Sequence, residues 1–335
     1  MFSHKRLIAE FQEQSFTQII FPHKDTDWFP YLDEAERSFI NIINAIIKFQ
    51  KCLVICHDQA YVKNYFNPHK NLFFIEYQTD DTWARDCSAL CINEADQTTL
   101  LDFTFNAWGN KFSATKDNAI THRIKECYKN PIKKIDFVLE GGAVESNGND
   151  TILTTSACML NPNRNPQLNT VTITQKLKTF FGAQHILYLN HGYLAGDDTD
   201  SHIDTLARFI NEDTIMYVTC NDQEDEHYHQ LLLMQEELQM IAKERKLKLI
   251  ALPFPDAIFY EQERLPATYA NFLFLNGALL LPVYGVAQDK IALKIFEKTF
   301  PQREIIPIDS SILIRQHGSL HCVTMNFAAG VTLSC

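Results

Sequence analysis

Positive charge is scarce in this sequence: 30 Lys and Arg stand against 41 Asp and Glu in 335 residues, a formal net charge of −11. Nucleic-acid binding rests on clustered cations that displace phosphate counterions, so the balance argues against it and suits a cationic ligand. With 11 Gly and 12 Pro the chain is neither collagen-like nor low-complexity, and 46% apolar with 21% charged residues is a globular composition. No run approaches the roughly 18 apolar residues of a membrane span. Met1 to Glu10 also lacks the apolar stretch of a signal peptide, so no membrane partner and a cytoplasmic location are expected.

Motifs for several chemistries are missing too. Neither G-x-x-x-x-G-K-[ST] nor G-x-G-x-x-G is present, which leaves nucleotide binding without support, and no G-x-S-x-G elbow marks a serine hydrolase. Glu226-His-Tyr-His229 lacks the i, i+4 histidines of a helical zinc site and reads as an exposed helix start. Asp197 and Asp198 have no Glu at the twelfth position of a calcium loop. No metal or organic cofactor is expected. Nine cysteines cannot all pair within one chain; Cys52, Cys56, Cys87, Cys91, Cys127 and Cys158 lie in apolar contexts without disulfide spacing and read mostly as buried thiols.

What is present is an α/β pattern. Ala35, Phe39, Ile42, Ile43, Ile46 and Ile47 recur at helical spacing within Asp33 to Gln50, with acidic residues in the first turn, where the helix dipole favours them. Further helices are expected over Asp225 to Lys246 and Asp289 to Thr299. Cys52–Cys56, Asn71–Ile75 and Asp213–Thr219 are short apolar runs rich in β-formers, as covered strands are. Between Val144 and Thr155, Asn147-Gly148 predicts a tight hairpin turn, because these residues tolerate positive φ. No linker divides the chain. Polar clusters at Asp86, Glu140, His202 and Cys322 follow apolar runs at intervals near sixty residues or twice that. One further unit, around Leu273 to Pro282, fills the long gap and suggests repeats meeting at one point.

Four segments carry chemistry. Cys322 follows Gly318-Ser-Leu-His and suits a nucleophilic thiolate, although a core cysteine in a final strand fits the same residues. His202 and Asp204, two apart, share a face if the segment is an extended strand; an acidic surface loop is the plainer reading. Thr79 to Asp86 joins Trp83, Arg85 and three carboxylates. It can recognise a planar cation, or close on itself through an internal Arg85 ion pair. Glu140, before two glycines, can orient a histidine or simply turn the chain.

Taken in order, the segments resemble the agmatine deiminase and bacterial-type peptidyl-arginine deiminase family of the guanidino-group-modifying pentein superfamily. The resemblance rests on Phe21-Pro-His-Lys-Asp-Thr-Asp-Trp28, Asp81-Thr-Trp-Ala-Arg-Asp86, Phe105-Asn-Ala-Trp-Gly109, Glu140-Gly-Gly142, Asn163-Arg-Asn-Pro166, Asp200-Ser-His-Ile-Asp204 and His321-Cys322. It implies a single catalytic domain over 1–335, folded as a five-bladed α/β propeller with units of about 67 residues. It also implies Cys322 as nucleophile, His202 and Asp204 as the H-x-D pair, Asp86 as the guanidinium-binding aspartate, Glu140 as the histidine-orienting glutamate and Trp83 as a pocket wall. Two places depart from the family pattern: Gln316-His-Gly-Ser-Leu320 replaces a run of glycines, and Cys87-Ser-Ala follows Asp86.

The implied reaction is hydrolysis of agmatine to N-carbamoylputrescine and ammonia, a step toward putrescine and the polyamines. Asp86 and Asp204 would hold the guanidinium plane, Cys322 would attack its carbon to give a covalent thiouronium, and His202 would protonate the departing ammonia and then activate water. The carboxylates are expected to keep Cys322 a neutral thiol until a cation binds. Asp25, Asp27, Trp28, Trp108 and Asp198 are candidates for the distal ammonium. Peptidyl-arginine or free arginine is the alternative substrate. A Cys-His-Asp amidase and an inactive cation-binding protein are the readings from other classes. A homo-oligomer is compatible with such a body.

Overall fold

The computed structural model describes residues 5–95 and 97–334. Five of its sheets repeat one pattern, in which an antiparallel pair leads into a parallel one. The pattern runs through Leu90–Glu94, Gln97–Thr104 and Ile132–Val138, then Glu145–Ser146, Thr151–Thr155 and His185–Leu189. It recurs in Ala207–Asn211, Thr214–Thr219 and Lys248–Pro253, and in Leu273–Leu275, Ala278–Val283 and Glu304–Asp309. The fifth sheet draws on both ends of the described chain: Thr324–Ala328 pairs antiparallel with Gln14–Ile20, which runs parallel to Lys51–Cys56 and through it to Leu72–Glu76. Phe259–Tyr260 and Glu263–Arg264 form a separate two-stranded ribbon.

A parallel neighbour requires a crossover, usually helical. Leu32–Ile46, Thr170–Phe181, Tyr228–Arg245 and Asp289–Thr299 occupy four of these crossovers. The first buries Ala35, Phe39, Ile42, Ile43 and Ile46, as its periodicity requires. It stops at Ile46 rather than Gln50, whose amide turns inward to donate to Gln14 and Thr17, both at 2.8 Å. The third begins at Tyr228 rather than Asp225 and ends at left-handed Lys246, φ 59°. At its start His227 is buried rather than exposed, because Asp225 lies 2.7 Å from Nδ1 and Ala195 N donates to Nε2 at 2.8 Å.

The expected hairpin exists, but its turn is longer. Residues 147–150 separate the strands, only Gly148 has positive φ (74°), and Asn147 Oδ1 accepts the backbone N–H of Asn149, Asp150 and Thr151. Side-chain capping replaces the two-residue turn. Cys52, Cys56, Cys87, Cys91 and Cys158 are buried free thiols, whereas Cys127, expected with them, is half-buried.

Two apolar clusters share strands. Ile152 packs into one and Leu153 into the other; Leu273, Leu275, Ala278 and Leu280 face the first, while Phe274, Leu279 and Leu281 face the second. Alternate residues of a strand point to opposite faces, so the sheets near Thr151–Thr155 and Ala278–Val283 are covered on both sides. A split into two independent bodies would expose these strands. Among the described residues no helix is long and apolar enough to cross a membrane.

Candidate active site

Cys322 lies in a turn before the strand Thr324–Ala328, not within it. Asn271 Oδ1 accepts the backbone N–H of His321 (2.8 Å) and of Cys322 (3.3 Å), and the thiol itself donates to it at 3.5 Å. The Cys322 carbonyl accepts from Arg85 N at 3.1 Å, which sets the cysteine turn beside Asp86. The glycine-poor approach is accommodated: His317 takes φ 65°, its Nδ1 pairs with the Gly196 carbonyl at 2.7 Å, and the remaining Gly318 faces Trp83. A Cβ on Gly318 would fall 2.1 Å from the indole, so glycine is required there. Trp83, Asp86, Trp108 and Cys322 line a cavity of about 310 Å³, together with Asp27, Asp81, Phe112, Asp198 and Thr199.

Three polar side chains converge on Gly142. A Cβ there would lie 2.6 Å from His202 Nδ1, 3.0 Å from Asp86 Oδ1 and 3.1 Å from Asp204 Oδ2. Gly142 N donates to Asp86 Oδ1 at 2.9 Å, and Trp108 Nε1 donates to Asp86 Oδ2 at 2.9 Å. Residues Ala107 to Asn110 all have positive φ, Trp108 at 54°. That conformation is strained for a bulky residue, and here it delivers the indole N–H to Asp86. His202 and Asp204 share this focus through a tight 3-10 turn, Ile203–Thr205, rather than along the expected extended strand.

Glu140 is fully buried, and its carboxylate is taken by Arg164 instead of hydrogen-bonding His202. Arg164 Nε reaches both oxygens at 2.9 Å, Nη1 reaches Asp200 Oδ2 at 2.7 Å, and Nη2 donates to the Thr199 carbonyl at 2.9 Å. A planar guanidinium with several fixed donors satisfies a buried carboxylate better than one imidazole N–H can. Glu140, Cys158 and His202 nevertheless present atoms within 4.8 Å of one another, so Glu140 acts on the imidazole by its charge. Arg164 sits in the Asn163-Arg-Asn-Pro166 segment, which drew no role from sequence; Asn271 lies in no motif at all.

The expected internal ion pair of Arg85 does not form: Arg85 pairs with Glu10 at 3.2 Å. Trp28 is fully buried and contributes to Trp83 rather than to the cavity. Its Nε1 donates to Thr82 and Asp81, and the two indoles lie 5.9 Å apart. Asp27 and Asp198 do line the cavity, whereas Asp25 lies beside His23. His23 and His57 stack at 3.3 Å and, with Asp25, could face a metal ion. Backbone N–H groups of Asp25 and Thr79 already occupy a nitrogen on each ring.

Electrostatics divide the site. Burial, then Asp204 and Asp86, push the Cys322 thiol well above its ordinary range. Burial opposes a charge on His202, but Asp86, Cys158 and Glu140 outweigh it and raise the imidazole to about 10. Burial raises Asp86, while for Asp204 burial is overcome by His321, whose Nδ1 lies 2.6 Å from Oδ2. Asp204 Oδ1 and His202 Nε2 are buried without a hydrogen-bond partner among the described residues. The open acceptor of Asp204 and the carboxylate of Asp86 suit a cation presenting N–H groups, and the charged imidazole suits proton donation to a leaving group.

Residues 6–327 match the Porphyromonas-type peptidyl-arginine deiminase family. The chain is 44% identical to the C. jejuni agmatine deiminase, solved as a Cys-to-Ser variant with substrate bound, with TM-score 0.93 and 97% of each chain covered. It is 27% identical to the agmatine deiminase of Enterococcus faecalis, with TM-score 0.91 over 98% of this chain and 97% of that one. The SxtG amidinotransferase of Microseira wollei, at 10% identity and TM-score 0.56 over 96% of each chain, shares the fold alone.

Proposed function

The chain belongs to the Porphyromonas-type peptidyl-arginine deiminase family, and from that premise we propose that it hydrolyses the guanidinium of agmatine to N-carbamoylputrescine and ammonia. The observation that carries this choice is the charge of the cavity wall. Four carboxylates, Asp27, Asp81, Asp86 and Asp198, line it, and no Lys or Arg does among the described residues. Agmatine carries a cation at both ends. The α-carboxylate of free arginine would meet acidic groups without a counter-cation, at a cost a dicationic substrate avoids.

Asp86 and the open oxygen of Asp204 take N–H groups of the guanidinium and fix its plane, with Trp83 and Trp108 as walls. A unit charge about 4 Å away contributes roughly 4 kcal/mol at an effective dielectric of 20, about three pKa units. The bound cation therefore offsets the carboxylates that keep Cys322 protonated. With the cation bound, Cys322 loses its proton to solvent and the thiolate adds to the guanidinium carbon; His202 gives its proton to the amino group, which leaves as ammonia as its C–N bond breaks. The neutral imidazole then takes a proton from the water that adds to the thiouronium, and the C–S bond breaks with the remaining hydroxyl proton passing to sulfur, which frees the ureido product and the thiol. The C. jejuni complex, obtained with a Cys-to-Ser variant, supports a cysteine in this role.

The five repeated sheets, the pairing of Thr324–Ala328 with Gln14–Ile20 and the shared strands support one catalytic domain arranged as a five-bladed propeller around the site. Such a body works in the cytoplasm toward polyamine synthesis. Ammonia release from agmatine, free arginine and a blocked arginyl peptide tests the assignment; turnover of the peptide equal to or faster than that of agmatine overturns it.

A further inference from the structure

Glu10 lies outside the substrate cavity and in no recognised motif, yet two arginines and a histidine meet its carboxylate. Oε2 lies 2.5 Å from His321 Nε2, 3.0 Å from Arg208 Nη2 and 3.2 Å from Arg85 Nη2, while Oε1 accepts the backbone N–H of Phe274 at 2.9 Å. Only 8% of the Glu10 side chain is exposed. Each partner adjoins a group of the site. Arg85 immediately precedes Asp86, and its backbone N–H holds the Cys322 carbonyl. His321 immediately precedes Cys322, and its Nδ1 lies 2.6 Å from Asp204. Arg208 lies four residues beyond Asp204 and also pairs with Glu145 at 2.5 Å. The His321 ring thus bridges Glu10 and Asp204, one nitrogen at each carboxylate.

We propose that Glu10 is a positioning residue for the deimination, a single carboxylate that fixes the spacing of Asp86, Asp204 and Cys322 around the guanidinium without touching it. The proposal rests on the functional reading above. One hydrogen bond from His321 and two buried ion pairs, to Arg85 and Arg208, converge on this one oxygen and hold three backbone segments together. A neutral amide in its place offers one carbonyl and an NH₂ that repels cationic donors, so Arg85, Arg208 and His321 separate. Attack perpendicular to the guanidinium plane tolerates little of this, since a displacement of about 1 Å can cost roughly 100-fold.

Glu10→Gln keeps the volume and removes the charge, and Glu10→Asp keeps the charge. In the full chain, with turnover counted per folded molecule by circular dichroism, kcat for agmatine is expected to fall about 10- to 100-fold in Glu10→Gln. KM changes less than about threefold, because both gripping carboxylates remain. Glu10→Asp, which keeps the charge but draws it back by one methylene, recovers part of the loss. A merely structural contribution would lower the thermal midpoint and leave kcat per folded molecule unchanged; that result, or equal losses in both variants, overturns the proposal. A wild type that releases no ammonia from agmatine overturns both this and the functional reading, whereas wild-type kcat in Glu10→Gln overturns the proposal alone.

Discussion

Nδ1 of His202 lies 3.7 Å from Oδ1 of Asp86, and this pairing keeps a buried imidazole charged. Burial works against that charge; Asp86 is the strongest of the groups that overcome it, and the balance stands at about 10. The value is raised, so the charged form persists below pH 10 and is lost as pH climbs through it. Asp86→Asn should lower the His202 titration toward the ordinary range near 6.5. The alkaline limb of any residual activity should follow it down. Histidine NMR across a pH series checks this, and a His202 titration unmoved by Asp86→Asn counts against the pairing.

The thiol behaves in the opposite sense. With burial, Asp204 and Asp86 all raising it, Cys322 should contribute no thiolate ultraviolet absorbance at neutral pH in the ligand-free enzyme, measured as wild type minus Cys322→Ser. Cys322→Ser should also lower ammonia release by at least about 1000-fold while retaining agmatine binding. A fully ionised Cys322 in the ligand-free enzyme would remove the requirement for cation binding. Full activity in Cys322→Ser would exclude the covalent route.

The sequence made the local chemistry legible where one residue type has one use. Cys322, His202, Asp204 and Asp86 stood at the ends of apolar runs; the structure sets Cys322 and Asp86 on the cavity wall, with His202 and Asp204 buried beside Asp86 around Gly142. The helix expected over Asp289 to Thr299 has those bounds in the structure. What stayed hidden depends on distant pairing. Glu140 and Arg164 are 24 residues apart, and Glu10 and His321 are 311 apart; no periodicity encodes such contacts. Trp28 looked like a ligand aromatic because its neighbours are acidic, but burial of an indole is decided by tertiary packing. Asn271, alone in an apolar run, gave no sign that its amide would cap the cysteine turn.

Gly142 is the position where the backbone itself shapes the site. Its φ is ordinary, so the demand for glycine is steric: a methyl 2.6 Å from His202 Nδ1 and 3.0 Å from Asp86 Oδ1 cannot be placed without moving both. Gly142→Ala should lower stability by about 1–3 kcal/mol, the usual range for overpacking. It should lower kcat by a larger factor than that cost implies, because the displaced atoms are the reacting groups. Urea denaturation alongside steady-state kinetics separates the two, and wild-type kcat in a destabilised Gly142→Ala would show that the convergence does not matter to turnover.

Arg164 and Glu140 form the most enclosed ion pair of the site, with side-chain exposures of 1% and 0%. Removing one member of such a pair leaves a buried charge unpaired and typically costs about 3–5 kcal/mol. Arg164→Met should therefore cost stability in that range, whereas the double variant with Glu140→Gln should recover part of it, because no isolated charge remains. Arg164→Lys should behave nearer to Met than to Arg. One ammonium cannot reach Glu140, Asp200 and the Thr199 carbonyl at once, as the planar guanidinium does. A double-mutant cycle by urea denaturation measures the coupling directly. Additive losses would mean that Glu140 is held by something other than Arg164.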